Sequence, residues 1–480
     1  MKRRDFGLLV MWLALLVGVL AVRWLGGVLG EFSQQQVTGP MGHTVEPPPS
    51  GLIGSATALG FLLLGAWLTG MLFNHIKLPK LTGYLVFGVL AGPQLYGILP
   101  GAVRDTIPPL ISPDQLEYLR LVNDLAISII ALLAGAEIRL KALRSGMRYI
   151  GSITLSNAIL EFGGVTLVLI AMRPLIPLLS RNTLNVDWVI CMIVGAIAIA
   201  NSPATVLAMI KEMRARGPFS QIGLAVTVLK DLVLVIVFTI LMAVALQILP
   251  ANGPSGEEAA HAQPTEVSQI ITYLVLHLVG SMLVGGIIGV GLRLVIRYVA
   301  QHMAIFIIAI GFGLALVSEV LHLEPLLVAL TAGFVLANLF PRHSATLFRK
   351  TEELSLPVYC VFFAVAGAGI NVEALTGLWQ LAILIVVIRT VLLWVSMYVA
   401  NTLTGLGGAP PKWMWTALVA QAGVSIALVA QVSQTFGDRP WGDQLASLLL
   451  AIVAVHQIIG PPLLRLGLIR SGEAEQDPPR

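Results

Sequence analysis

Charge is what this sequence has least of. Only 11% of its 480 residues are Asp, Glu, Lys or Arg, against roughly a quarter in soluble globular domains. That deficit excludes an ordinary water-soluble chain. The net charge of +4 follows from how lysine and arginine are spread across a membrane, so no nucleic-acid partner is expected. Cysteine is scarce too. Cys191 and Cys360 are the two present, both in apolar segments and neither within metal-ligand spacing, which argues against a disulfide framework or a thiolate metal centre. No nucleophile triad, phosphate loop or nucleotide-binding pattern occurs, so neither an enzyme nor a cofactor is expected. What the chain has in quantity is hydrophobicity: 57% of residues, with a mean hydropathy of +0.88.

A spanning helix needs roughly 20 apolar residues. Runs of that kind recur at about 7–30, 51–74, 80–99, 118–140, 148–173, 187–211, 220–249, 268–297, 303–321, 324–341, 356–373, 379–403, 414–435 and 441–466. They predict an all-α polytopic membrane protein of about 13–14 transmembrane helices. The opening "MKRRDFGLLVMWLALL" has the look of a signal peptide. Its apolar run is long, however, Arg23 and Trp24 stand near its far end, and no small-residue cleavage site follows, so a retained helix is expected. With the N-terminus inside, "NHIKLPK", "RLKALRSGMR", "KEMRARG", "PRHSATLFRK" and the tail fall on one side and hold most of the 29 lysines and arginines. The positive-inside rule makes that side cytoplasmic, with both termini there, in what reads as a bacterial inner (plasma) membrane. "TVEPPPSG" and "ANGPSGEEAAHAQPTE" read as external connectors.

Stretches far apart read alike. "ALLAGAEIRLKAL" (131–143) matches "FAVAGAGINVEAL" (363–375), and "KLTGYLVFGVLAGP" (80–93) matches "PLLVALTAGFVLAN" (325–338). The segment around "NSPAT" (201–205) likewise falls opposite the one around "AQAGVS" (420–425). Order is preserved, so the chain divides into an extra N-terminal helix and external linker (1–50), a first six-helix copy (51–250), a linker and connecting helix (251–300), a second copy (301–470) and a short cytoplasmic tail (471–480). By the topology above the copies are inverted, an arrangement typical of secondary transporters. Each copy has one interrupted helix. Pro203 follows Asn201 and Ser202 in mid-membrane, where proline removes a helix hydrogen bond and clashes with the preceding turn. In the second copy the break is at Gln421, Ala422 and Gly423, followed by Ser425. Unwound backbone at membrane depth is tolerated where it lines a cavity, and half-helix ends offer dipoles and carbonyls to an ion.

The ordered set "KLPKLTGYLVFGVLAGPQLYG", "LLAGAEIRLKALR", "NSPATVLAMIKE", "GLAVTVLKDLVLVIVF", "EPLLVALTAGFVLAN" and "PVYCVFFAVAGAGIN" resembles the monovalent cation:proton antiporters, and within them the cation:proton antiporter-2 branch. The resemblance runs from about residue 55 to 470. It implies a homodimer, a core containing two crossed broken helices that moves like an elevator, and exchange of sodium or potassium for protons. It also implies an ion-binding carboxylate at Asp231 and a membrane-embedded basic residue at Arg389. Two positions depart from the pattern. Lys230 stands where the family usually has Asn, Gln or Asp, and Val226 stands where many exchangers carry a Glu.

The central membrane charges are Glu161, Lys230, Asp231 and Arg389, and they sum to zero. An unpaired charge at the bilayer centre costs at least about 2.5–3.5 kcal/mol, so pairing is expected. The repeat offset pairs Glu161 with Arg389 as a structural ion pair, with Glu161 filling the role that Val226 cannot. Asp231 is the candidate site for cation and proton alike, because a carboxylate holds one or the other. Asn201, Ser202, Thr205 and Lys230 are its candidate neighbours, with Lys230 expected to rest on Asp231 as a counter-charge, the alternatives being a titrating amine or a side chain that snorkels to the interface. Glu137 is expected to cap its helix, and His75, His302, His322 and His343 fall at membrane edges. Two alternatives remain open: a carrier of another, possibly anionic, substrate on the same fold, motivated by Lys230 and Arg389, and a cation channel or efflux pathway.

Overall fold

The computed structural model describes residues 50–98, 110–138, 140–249, 267–299, 303–321, 323–370, 372–404 and 412–474. The expected N-terminal helix at 7–30, the connectors at 31–49 and 251–266, His302, His322 and the last six residues lie outside the described residues. Within them the chain is helical, with no strand. The principal helices are α1 (Ser50–His75), α2 (Lys80–Ala91), α3 (Arg120–Glu137), α4 (Leu140–Ala171), α5 (Leu184–Ala198), α6 (Pro203–Glu212) and α7 (Pro218–Ile248). They continue with α8 (Val267–Val299), α9 (Met303–Val320), α10 (Pro325–Leu339), α11 (Pro341–Ala368), α12 (Val372–Thr404), α13 (Gly423–Phe436) and α14 (Gly442–Arg470). Every apolar run from 51–74 onward corresponds to one of them, except 187–211, which divides into α5 and α6. Among the described residues 7 helices are long and apolar enough to cross a membrane, and shorter apolar stretches occur in α2, α8, α9, α10, α11 and α13.

The chain packs as two compact units. One comprises the chain up to Ala126 together with Ser355–Glu373; the other comprises Ile127–Leu354 and Ala374 onward. In the first, α1 lies along α2, and the rings of Phe61 and Phe87 meet edge to face at 5.3 Å. There α2 crosses α11 so closely that only glycine fits. A Cβ on Gly88 would stand 2.0 Å from the carbonyl oxygen of Ala364, and one on Gly367 2.2 Å from that of Leu85. The second unit makes the same contact between α3 and α10. A Cβ on Gly135 would meet the Leu330 oxygen at 1.9 Å, and one on Gly333 the Leu132 oxygen at 1.9 Å. The repeat matches Gly88 with Gly333 and Gly135 with Gly367. Each crossing therefore joins one copy to the other, with the roles exchanged, as two symmetry-related copies require.

In the second unit α4, α5, α7, α12, α13 and α14 share a core that includes Val165, Ile193, Phe238, Ile385, Val432 and Leu449. The N-terminus of α7 is held by the tail. Glu473 accepts from the Phe219 and Ser220 amides at 2.5 and 2.9 Å and from the Ser220 hydroxyl at 2.7 Å. A carboxylate there satisfies otherwise orphaned amides and the positive helix end. Glu137 does not cap α3. It pairs instead with Lys211 of α6 at 2.5 Å, because a carboxylate at the last helical position faces exposed carbonyls and gains more from a cation.

Candidate functional site

The two interrupted helices meet inside the second unit. In the first copy α5 stops at Ala198 and α6 begins at Pro203, the first helical position, where a missing N–H costs nothing. Ser202 is the N-cap: its Oγ accepts from the Thr205 amide at 3.1 Å and from the Thr205 hydroxyl at 2.8 Å. In the second copy a short 3-10 helix, Met414–Leu418, runs into a non-helical stretch ending at Ala422, and α13 starts at Gly423. The breaks bond reciprocally. Asn201 Nδ2 donates to the Leu418 carbonyl at 2.6 Å, and Gln421 Nε2 donates to the Ile197 carbonyl at 2.9 Å. The proline and glycine signals thus marked a real pair of breaks, and they cross each other.

Arg389, on α12, is completely buried at this crossing. Its Nε donates to the Ala198 carbonyl at 2.6 Å and its Nη1 to Val419 at 2.8 Å. Its Nη2 donates to Ala200 at 2.7 Å and to Leu418 at 3.0 Å. These carbonyls terminate both half-helices, where unpaired C=O groups carry the negative dipole end. A planar guanidinium with several fixed donors suits that task where lysine would not.

Glu161 of α4 stands between two cations. Its Oε2 is 2.5 Å from Lys230 Nζ and its Oε1 3.7 Å from Arg389 Nε, with all three side chains at 0% exposure. The expected Glu161–Arg389 pair is present but shared. Lys230, expected to rest on Asp231, rests on Glu161. Adjacent residues of a helix point about 100° apart, so the face of α7 that presents Lys230 to α4 turns Asp231 elsewhere. Val226, on this same helix, is fully buried.

Asp231 is buried at 6% exposure, and neither of its oxygens has a hydrogen-bond partner. Its favourable neighbours are the Asn201 backbone and the Lys230 ammonium. At the breaks themselves Asn201 Oδ1, Gln421 Oε1 and Ser425 Oγ are also buried without partners. Carboxylate, amide and hydroxyl oxygens are the ligand types that hard cations take. The hydroxyls of Ser202 and Thr205 are instead engaged with each other. A cavity of about 380 Å³ lies toward the start of α7, lined among others by Glu137, Arg216, Ser220, Gln221 and Leu224.

Sequence reasoning singled out no polar residue of α14. The structure buries His456 and Gln457 there, at 0% and 2% exposure. The repeat could have found them: counted from Pro218 and from Gly442, Asp231 and His456 stand at matching depths in α7 and α14.

The geometry brings a buried carboxylate beside a pair of helix breaks, and comparison with known proteins places the chain. Residues 60–466 match the family model for the sodium/hydrogen exchanger, transmembrane, and the chain belongs to that family, a family of transporters rather than enzymes. The match stands at family level, above the antiporter-2 branch. Among curated relatives, the Na(+)/H(+) antiporter NhaS4 of Synechocystis is 22% identical over 71% of this chain and 80% of its own length. The ammonium/H(+) antiporter subunit AmhT of Alkalihalophilus pseudofirmus is 22% identical over 76% and 82%. The solved structure of the sodium proton antiporter MjNhaP1 from Methanocaldococcus jannaschii superposes with a TM-score of 0.62 at 14% identity. That superposition covers 88% of this chain and 96% of that one, and the shared fold is what it establishes.

Proposed function

We propose that this protein exchanges a monovalent cation, Na⁺ or K⁺, for protons by elevator-type alternating access, as a homodimer in the inner membrane with both termini cytoplasmic. The observation that carries the reading is Asp231: a buried carboxylate with both oxygens unpartnered, beside two crossed helix breaks. Asp231 releases its proton to admit the cation, and releases the cation to take the proton back. Asn201, Gln421 and Ser425 supply further oxygens. Lys230 and Arg389 are committed to Glu161 and to backbone carbonyls, so neither of them is free to attract an anionic substrate, which favours cation exchange over that alternative.

The charge arrangement also bears on stoichiometry. Glu161 is held between two fixed cations, so of the buried acids on the helices flanking the first break, Asp231 is the one left to exchange. One proton should then move for each monovalent cation, and the cycle should be insensitive to membrane potential. The test is a proteoliposome assay following internal pH while Na⁺, K⁺, Li⁺, ammonium and chloride are added in turn, with the potential clamped at different values. A pH change driven by a cation and independent of voltage supports the reading; a response to chloride alone, or none, opposes it.

A further inference from the structure

Away from the crossed breaks, the ion pair between Glu137 and Lys211 joins two separately braced parts of the second unit. The first part is α3 with α10. Their glycines interlock at Gly135 and Gly333, and Asn338 at the end of α10 clasps the residues that follow α3. Its Oδ1 accepts from the Leu140 amide at 2.7 Å, and its Nδ2 donates to the Ile138 carbonyl at 2.9 Å. Glu137 stands between that crossing and that clasp, so its backbone is fixed on both sides.

The second part carries the ion site. Helix α6 has 10 residues, about 15 Å of rise. Asn201 and the cap Ser202 precede it, and Lys211 lies in its last turn. It packs on α7, which bears Asp231, and on α14. From this group Lys211 Nζ reaches Glu137 Oε1 at 2.5 Å, with side chains 31% and 37% exposed. The Lys230–Glu161 pair is at 0%. Water can take over both charges when Lys211 and Glu137 separate, so parting them costs little. Parting a fully buried pair would leave two charges without solvent or partner. Glu137, Ile138 and Ile210 also line the cavity beside the start of α7, so open space adjoins the pair.

We propose that Glu137 is a positioning residue for exchange: through Lys211 it holds α6 beside α3 and α10 in the cation-accepting state, and the pair parts each time the site crosses. The state described here accepts a cation because both oxygens of Asp231 lack a hydrogen-bond partner. A short rigid half-helix carries a displacement at Lys211 to Asn201 and Ser202 at its other end. Losing the pair lowers the share of molecules in that state, and apparent cation affinity falls with that share.

This rests on the exchange reading above, and one set of measurements separates the two. Wild type and the double variant Glu137→Cys with Lys211→Cys are reconstituted; the native thiols, Cys191 and Cys360, are buried. A short bifunctional methanethiosulfonate reagent joins the introduced thiols, and mass spectrometry follows the bridging. Before bridging, cation-driven pH change should run within about fivefold of wild type, the scale of one exposed ion pair. After bridging it should fall to the level of empty liposomes, and a thiol reductant should restore it. Bridged protein that exchanges at its unbridged rate makes the pair a static tie and overturns the proposal, as do thiols that react without joining. Charge reversal decides the matter if the cysteine variant fails to insert. Glu137→Lys and Lys211→Glu should each raise the apparent KM for the cation about two- to fivefold with the melting temperature unchanged. Combining the two reversals should bring KM back toward wild type. An unchanged KM in both single variants, or a combination as impaired as either, overturns the proposal. A wild type with no cation-driven pH change overturns the exchange reading instead.

Discussion

In the first copy of the repeat, the helices flanking the break carry Glu161, Lys230 and Asp231. In the second, the matching helices carry Arg389 and His456. The backbone device is the same on both sides: a break, an amide side chain reaching across to the opposite carbonyl, and a glycine-lined crossing between copies. The side-chain chemistry has diverged. One copy holds the carboxylates, including the one left without a partner; the other holds the guanidinium that ties both breaks together. A shared repeat pattern thus carries different side-chain chemistry in its two copies. Two symmetric carboxylates would have repelled, and two symmetric arginines would have closed the crossing to a cation.

The largest effect should come from removing the charge that both copies share. Glu161→Gln leaves Lys230 and Arg389 buried without their counter-charge, and losing one partner of a buried pair typically costs about 3–5 kcal/mol. Its melting temperature in detergent should fall furthest of the variants considered. Double-mutant cycles then sharpen the picture. The coupling of Glu161 with Lys230, at 2.5 Å, should exceed that with Arg389, at 3.7 Å. Simple additivity for either pair, within about 0.3–0.5 kcal/mol, would mean that the residues act independently.

Glycine substitutions test the symmetry itself. Gly88→Ala and Gly333→Ala each drive a methyl against a backbone carbonyl, at 2.0 and 1.9 Å. Both should destabilise by a similar amount, about 1–3 kcal/mol as for overpacking elsewhere. A large loss at one position and none at the other would break the equivalence of the two crossings.

A smaller effect is expected at Lys230. Lys230→Asn keeps Arg389 on Glu161 but takes a positive neighbour from Asp231. Transport should persist, with half-activity moved to higher pH by up to about one unit, the scale of a single charge interaction. The carboxylate then takes its proton more readily. A pH profile that does not move would mean that Lys230 serves Glu161 alone.

Much of this was legible in the residues. Apolar runs, basic loops and two self-similar motifs marked the spans and the repeat, because hydrocarbon thickness and charge asymmetry act on composition directly. Pro203 and the Gln421–Gly423 stretch marked the breaks because proline and glycine act on the backbone wherever they stand. Partners were harder. Lys230 and Asp231 are neighbours in sequence, yet rotation about the α7 axis decides which of them meets Glu161, and that rotation is set by packing. Four of the contacts of Arg389 are to carbonyls, which every residue has, so no motif announces them. The salt bridge of Glu137 with Lys211 and the cap that Glu473 places on α7 join segments far apart in the chain. His456 was hidden in an apolar run, where a single histidine carries no pattern of its own.

The central claim is that Asp231 alone exchanges proton for cation. Its most direct test is cation-driven pH change in proteoliposomes containing wild type or Asp231→Asn, with insertion and thermal stability checked in parallel. The variant is expected to insert and melt like wild type and to show no pH change on addition of Na⁺ or K⁺. Exchange by Asp231→Asn at a rate near that of wild type would contradict the account.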